Sequence, residues 1–207
     1  MPEHWTVTRI ASQLHRMVLA PLGFERQGNR CARSDSGLVR RIVFYGSAAT
    51  TPRVQIQARI GIAGLPEPMV EHRCDELWGA PRPLTGPSHY PRPRSGDDLP
   101  ANLVADVAGP AVEFLLRAEG LGELALWAQE IFLGDTHPGW WGRFQPVLPQ
   151  GTGPLQAAAF AAAMMGDPEL TEFLALRVAN EEPDEHRLAD FRTELRHVTT
   201  HTINKRY

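Results

Sequence analysis

The sequence predicts an α+β protein: an N-terminal helix packed on a small antiparallel β-meander, followed by a helical C-terminal region. Three observations carry this expectation. Apolar residues recur at helical spacing over 7–19, apolar and polar residues alternate strictly over 54–62, and three helical stretches with proline in or beside their first turns fill the C-terminal part. The boundary falls near residue 120, giving an α+β domain over 1–120 and a helical extension over 121–207.

In chain order, Val7, Ile10, Ala11, Leu14, Met17 and Val18 form one stripe, with Arg9, Gln13 and Arg16 between them. Pro21 and Gly23 end this helix, because proline restricts the residue before it and glycine accepts the turn that follows. After a turn at Gly28-Asn29, 30–33 reads as a short edge strand. Ser34-Asp35-Ser36-Gly37 carries hairpin chemistry leading into a strand over 38–45. Val54, Ile56, Ala58, Ile60 and Ile62 then alternate with Gln55, Gln57, Arg59 and Gly61. One face of this strand is therefore buried and the other wet, and the first helix is expected to cover the apolar face of a three-stranded meander.

Prolines at 66, 68, 81, 83, 87, 91, 93 and 100 predict a long irregular loop over 64–100, interrupted at most by a helical turn around 69–78. Trp78, Arg82, His89, Tyr90, Arg92 and Arg94 make this loop the principal exposed surface of the reading. Asp97 or Asp98 is placed to cap a helix that enters through Pro100 and runs to about 118. That helix turns Leu103, Val107, Ala111, Phe114 and Leu115 inward and kinks at Gly109-Pro110. A helix over 121–132, a loop bearing Trp140 and Trp141, and helices over 154–165, 168–180 and 183–197 complete the chain.

Bulk composition narrows function. Hydrophobic residues make up 43% of the 207 and charged residues 22%, ordinary globular usage. A net charge of −3 supplies no field to attract nucleic acid or anionic lipid, so neither nucleic acid nor membrane is an expected partner. The N-terminus has no basic region followed by an apolar core, and no stretch reaches the ~20 apolar residues of a membrane span. The cytoplasm is the expected location. Cys31 and Cys74 are too few for a disulfide framework. Arginine far outnumbers lysine, whose single member is Lys205, a usage that fits a GC-rich bacterial genome.

The run Leu19-Ala20-Pro21-Leu22-Gly23-Phe24-Glu25-Arg26-Gln27-Gly28-Asn29, with Asp35-Ser36-Gly37-Leu38 and Ala58-Arg59-Ile60-Gly61-Ile62, resembles the domain-of-unknown-function 4304 family over roughly 5–118. Arg59 stands where that family commonly has asparagine, and Cys31 where an aromatic often sits. The resemblance implies the order helix, turn, three strands, Trp-bearing loop and closing helix. It implies no reaction, cofactor or catalytic residue; an immunity or defence-associated role enters only by analogy with other small bacterial α+β domains.

Candidate chemistry is sparse. His72, Cys74 and His89 are zinc-ligand types, but their spacing matches no closed zinc motif, and the favoured reading is loop histidines and an idle thiol. Glu181, Glu182, Asp184 and Glu185 cluster at a helix start, where the helix dipole already accounts for them. No phosphate loop, dinucleotide fingerprint, nucleophile elbow or HExxH pair occurs. Trp140 and Trp141 suit either a stacking platform or a wedge between helices and domain, and the arginines of the 82–94 loop suit carboxylates of an acidic partner. The expected function is therefore non-catalytic protein binding, with no cofactor or metal, through Trp78, Arg82, Tyr90, Arg92, Arg94, Trp140 and Trp141. The alternative is an enzyme or small-molecule binder using a cleft between sheet and helical extension, with Cys74, His72 or His89 as its chemistry; a purely structural scaffold is the third reading.

Overall fold

The computed structural model describes residues 3–47, 52–69, 76–81, 89–133, 144–146 and 151–206. Helix α1 (Val7–Leu14) starts where Thr6 accepts a hydrogen bond from the Arg9 N–H. It continues as one π turn (His15–Leu19) and one 3-10 turn (Ala20–Leu22), burying Ile10, Ala11, Leu14 and Leu19. Gly23 stops it in the left-handed region at φ 80°. There the Phe24 N–H reaches the Leu19 carbonyl and the Gly23 N–H that of Ala20, at 3.1 and 3.0 Å, a Schellman closure with Phe24 buried beneath it.

The sheet is antiparallel in every described pair. Its strands are β1 (Glu25–Gln27), β2 (Arg30–Asp35), β3 (Leu38–Ser47), β4 (Arg53–Ile62), β5 (Glu76–Pro81), β6 (Tyr90–Pro91) and β7 (Phe144–Pro146). The order is β1-β2-β3-β4-β5-β7, with β6 also paired to β4. The two-residue hairpin turn between β2 and β3 places Ser36 at φ 50° and Gly37 at φ 78°, the double left-handed conformation whose twist suits flanking strands. On the core side lie Leu38, Ile42, Phe44, Val54, Ile56, Ala58, Ile60 and Leu77, all buried.

Two expectations for 64–100 are corrected. Residues 76–81 and 90–91 are strands, so the stretch is not irregular throughout and no helical turn extends to residue 78. Proline is tolerated here because Pro81 is the last residue of β5 and Pro91 belongs to a two-residue strand, where few ladder donors are missed. Neither Asp97 nor Asp98 caps the next helix: Pro100 is its N-cap, and the Asp97 carboxylate instead accepts from the Arg94 N–H at 3.0 Å.

That helix runs as α2 (Ala101–Asp106), a π turn (Val107–Ala111) and α3 (Val112–Leu116). Pro110 cannot donate to the carbonyl one turn back, and the backbone widens there. Leu103, Val107, Ala111, Phe114 and Leu115 face inward as expected. The end of α3 is held by Arg40 of β3, a buried side chain whose guanidinium donates to the Leu115 and Ala118 carbonyls at 2.8 and 2.6 Å and pairs with Asp35. A cation thus meets the negative end of a helix dipole and satisfies carbonyls that have no partner within the helix.

The C-terminal region comprises α4 (Leu121–Phe132), α5 (Gly153–Met165), α6 (Pro168–Glu181) and α7 (Glu185–Arg206). Every residue from 153 to 163 is buried, because α5 is surrounded by α4, α6 and α7 and also meets β5. A helix apolar on all sides belongs in an interior, and its alanines allow close approach. Gly166, at φ 67°, closes α5, and Asp167 immediately caps α6 by accepting from the Leu170 N–H at 2.9 Å. Helix α7 runs well past residue 197. Buried apolar residues from both sides of residue 120 form one contiguous cluster. Among the described residues, no helix is long and apolar enough to cross a membrane.

Candidate binding face

The alternation that buries Ile56, Ala58 and Ile60 turns Gln55, Gln57 and Arg59 to the opposite face of the sheet, where all three are partly exposed. Register sets their neighbours: Arg59 lies directly across from Arg41, Gln57 from Val43 and Gln55 from Tyr45. Two like charges directly opposite repel each other. Here a carboxylate from the next strand intervenes: Glu76, which pairs with Gly61, receives the Arg41 guanidinium on one oxygen and that of Arg59, at 3.4 Å, on the other.

Arg59 is fixed further. Its Nη2 donates to the Tyr45 hydroxyl at 2.7 Å and to Gln57 Oε1 at 2.9 Å, while its buried Nε has no hydrogen-bond partner. Both guanidiniums keep contact with solvent, with side-chain exposures of 30% for Arg41 and 33% for Arg59. The same face carries Arg30 on β2 and Arg53 on β4, both exposed, and Glu25 on β1. Among the described residues, four arginines against two glutamates make this face locally positive on a chain of net charge −3. Chemically, the array binds and orients carboxylates: planar donors, preset by hydrogen bonds to a tyrosine and a glutamine, on a rigid sheet.

Of the residues expected from sequence, only some fall among the described residues. Trp78 pairs with Arg59 across β4 and β5, and its side chain lies outside the described residues, as do Arg82, Trp140, Trp141, His72 and Cys74 altogether. Tyr90, expected on an exposed loop, is fully buried and donates to Asp106 at 2.5 Å; it anchors β6 to α2. Arg92 and Arg94 lie on a segment zipped to the N-terminus. The Trp5 N–H reaches the Pro93 carbonyl and the Ser95 N–H that of Glu3, both at 2.8 Å, while His4 Nδ1 lies 2.9 Å from the Arg92 carbonyl. Arg94 is exposed and Arg92 half-buried. Tyr90 pairs with Val54 and Trp78 with Arg59, five residues apart on β4 or about 17 Å.

Other candidates resolve into structural roles. The Asp184 carboxylate accepts from the Arg187 and His186 N–H groups and opens α7, and those bonds lower its pKa, the one from Arg187 most. Glu182 accepts from the Thr152 hydroxyl at 2.5 Å, joining α6 to the start of α5. Burial pushes the Cys31 thiol up to about 11 against a smaller opposing pull from Arg26, which keeps it protonated and unreactive at neutral pH. Among the described residues, no three His, Cys, Asp or Glu side chains are grouped to hold a metal ion. A groove of about 520 Å³ runs between α6 and α7, lined by Ala163, Ala175, Leu195 and Ile203.

From sequence, Arg59 is legible as a member of a wet strand face and as a departure from the asparagine common in the family the chain resembles. Its partner Glu76 was hidden, because the signal for β5 is a short run ending in proline with no alternation to read. Comparison of the chain with protein-family models, with curated proteins and with solved structures finds no match in any of the three.

Proposed function

We propose that this protein is a non-catalytic binding module that engages a protein partner through the polar face of its sheet. The observation that carries the reading is the Arg41–Glu76–Arg59 bridge, locked by Tyr45 and Gln57. Arginine and tyrosine are the residue types that dominate interface energetics, and side chains already held in one geometry lose little freedom on binding. Arg94, exposed on the segment tied to the N-terminus, is a second contact.

The test is a tagged pull-down from the native host, quantified by mass spectrometry against an untagged control. The wild-type chain is expected to recover one stoichiometric protein, and Arg41→Ser with Arg59→Gln to lose it while keeping the wild-type circular dichroism spectrum. Recovery of no enriched protein, or equal recovery by the double variant, contradicts the reading.

A further inference from the structure

The bridge on the sheet face is asymmetric, and the asymmetry points to a ligand. Arg41 lies close against one oxygen of Glu76, whereas Arg59 reaches the other only at 3.4 Å. Two guanidiniums share this carboxylate, and that of Arg59 remains partly exposed. A planar guanidinium forms its best pair with a carboxylate edge-on, through two parallel N–H···O bonds. Glu76 does not supply that to Arg59. Its weak contact with Arg59 is the one that exchange with another carboxylate would sacrifice.

We infer that Glu76 is an internal placeholder in a carboxylate-binding site, and that the occupant is an acidic segment of a protein partner whose Asp or Glu side chain takes the Arg59 guanidinium in competition with Glu76. This rests on the binding reading above. The chemistry already seated between the two arginines is a carboxylate, which favours an acidic peptide over a phosphate backbone. The net charge of −3 opposes a long polyanion, whereas Arg53 and Arg30 on the same face extend the local positive field only a short way. Gln55 and Gln57, with amide donors and acceptors, suit the polar groups of a peptide beside the ion pair.

The experiment titrates a fluorescent hexaglutamate peptide into the full chain at two salt concentrations, with a uridine hexanucleotide as the comparison. Glu76→Gln keeps the shape of the side chain and removes its charge. It is expected to bind hexaglutamate about tenfold tighter than wild type, Arg59→Gln at least about tenfold weaker, and wild type more weakly at the higher salt. Weaker binding by Glu76→Gln would make Glu76 a residue that positions the arginines and would overturn the placeholder inference, as would tighter binding of the oligonucleotide than of the peptide. The two proposals fail separately. If a host partner is captured through Arg41 and Arg59 but Glu76→Gln gains nothing, only the placeholder is wrong; if hexaglutamate behaves as expected but no host protein is captured, the carboxylate site stands and the protein-binding reading falls. An unchanged melting curve for each variant separates a lost site from a lost fold.

Discussion

Arg40 shows how a residue can look polar in sequence and be part of the core. It occupies a core-side position on β3, is 3% exposed, and connects Asp35 to the carbonyl end of α3. Replacing it with alanine leaves two carbonyls without their donor and leaves the half-buried Asp35 carboxylate only its ion pair with Arg33. A loss of roughly 3 kcal/mol is expected in urea unfolding, in line with the cost of breaking a buried charged pair. Cys31 makes a pH-dependent claim. Its thiol is held near 11 in the fold against an ordinary 9.0, so the unfolded chain loses its proton first as pH rises. The Cys31 contribution is intact below about 9 and disappears as pH climbs from there towards 11. A Cys31→Ala chain should show a smaller loss of stability across that interval; an identical loss would place the alkaline sensitivity elsewhere. Both roles come from neighbours distant in sequence, which is why neither could be read from the residues alone.

At the scale of elements, long periodic signals were legible and short ones were not. The alternation from Val54 to Ile62 and the inward set from Leu103 to Leu115 each repeat a burial pattern and match the structure, whereas the stripe beginning at Val7 holds only through Leu14: the π turn that follows shifts the phase, burying Leu19 and leaving Met17 exposed. Strands β5 and β6 are too short to repeat anything, and their prolines argue locally against strand; pairing with β4 outweighs that local preference. The candidate site suffered for this, since Glu76 belongs to β5 and the Arg41–Arg59 pair is unintelligible without it. Helix α5 presents the opposite case, burial without periodicity. Its alanines fit against three other helices, so Ala161→Leu, at a fully buried position, is expected to overpack the bundle and cost roughly 1–3 kcal/mol. Leu176→Ala on the exposed side of α6 should stay within about 0.5 kcal/mol of wild type. Parallel thermal melts would check the pair, and equal effects would contradict the placement of α5 at the centre.

For the whole molecule, the sheet's two faces divide the labour. The apolar face and the helices share one core, and contacts such as Leu121 against Gly37 in the β2–β3 turn, and the buried Glu194 carboxylate accepting the Met69 N–H in the segment after β4, join the C-terminal helices to the N-terminal part. The other face carries hydrogen-bonded charge that no core requirement explains: burying Ile56, Ala58 and Ile60 demands only that their neighbours be polar, whereas two arginines, one shared glutamate and a tyrosine in contact constitute a specific arrangement. The measurement that tests this most directly compares partner recovery by the wild-type chain and the Arg41→Ser, Arg59→Gln double variant from the same host extract. The account predicts one protein at stoichiometric yield with the wild type and background yield with the variant. Equal recovery by both chains would move the function off the sheet face.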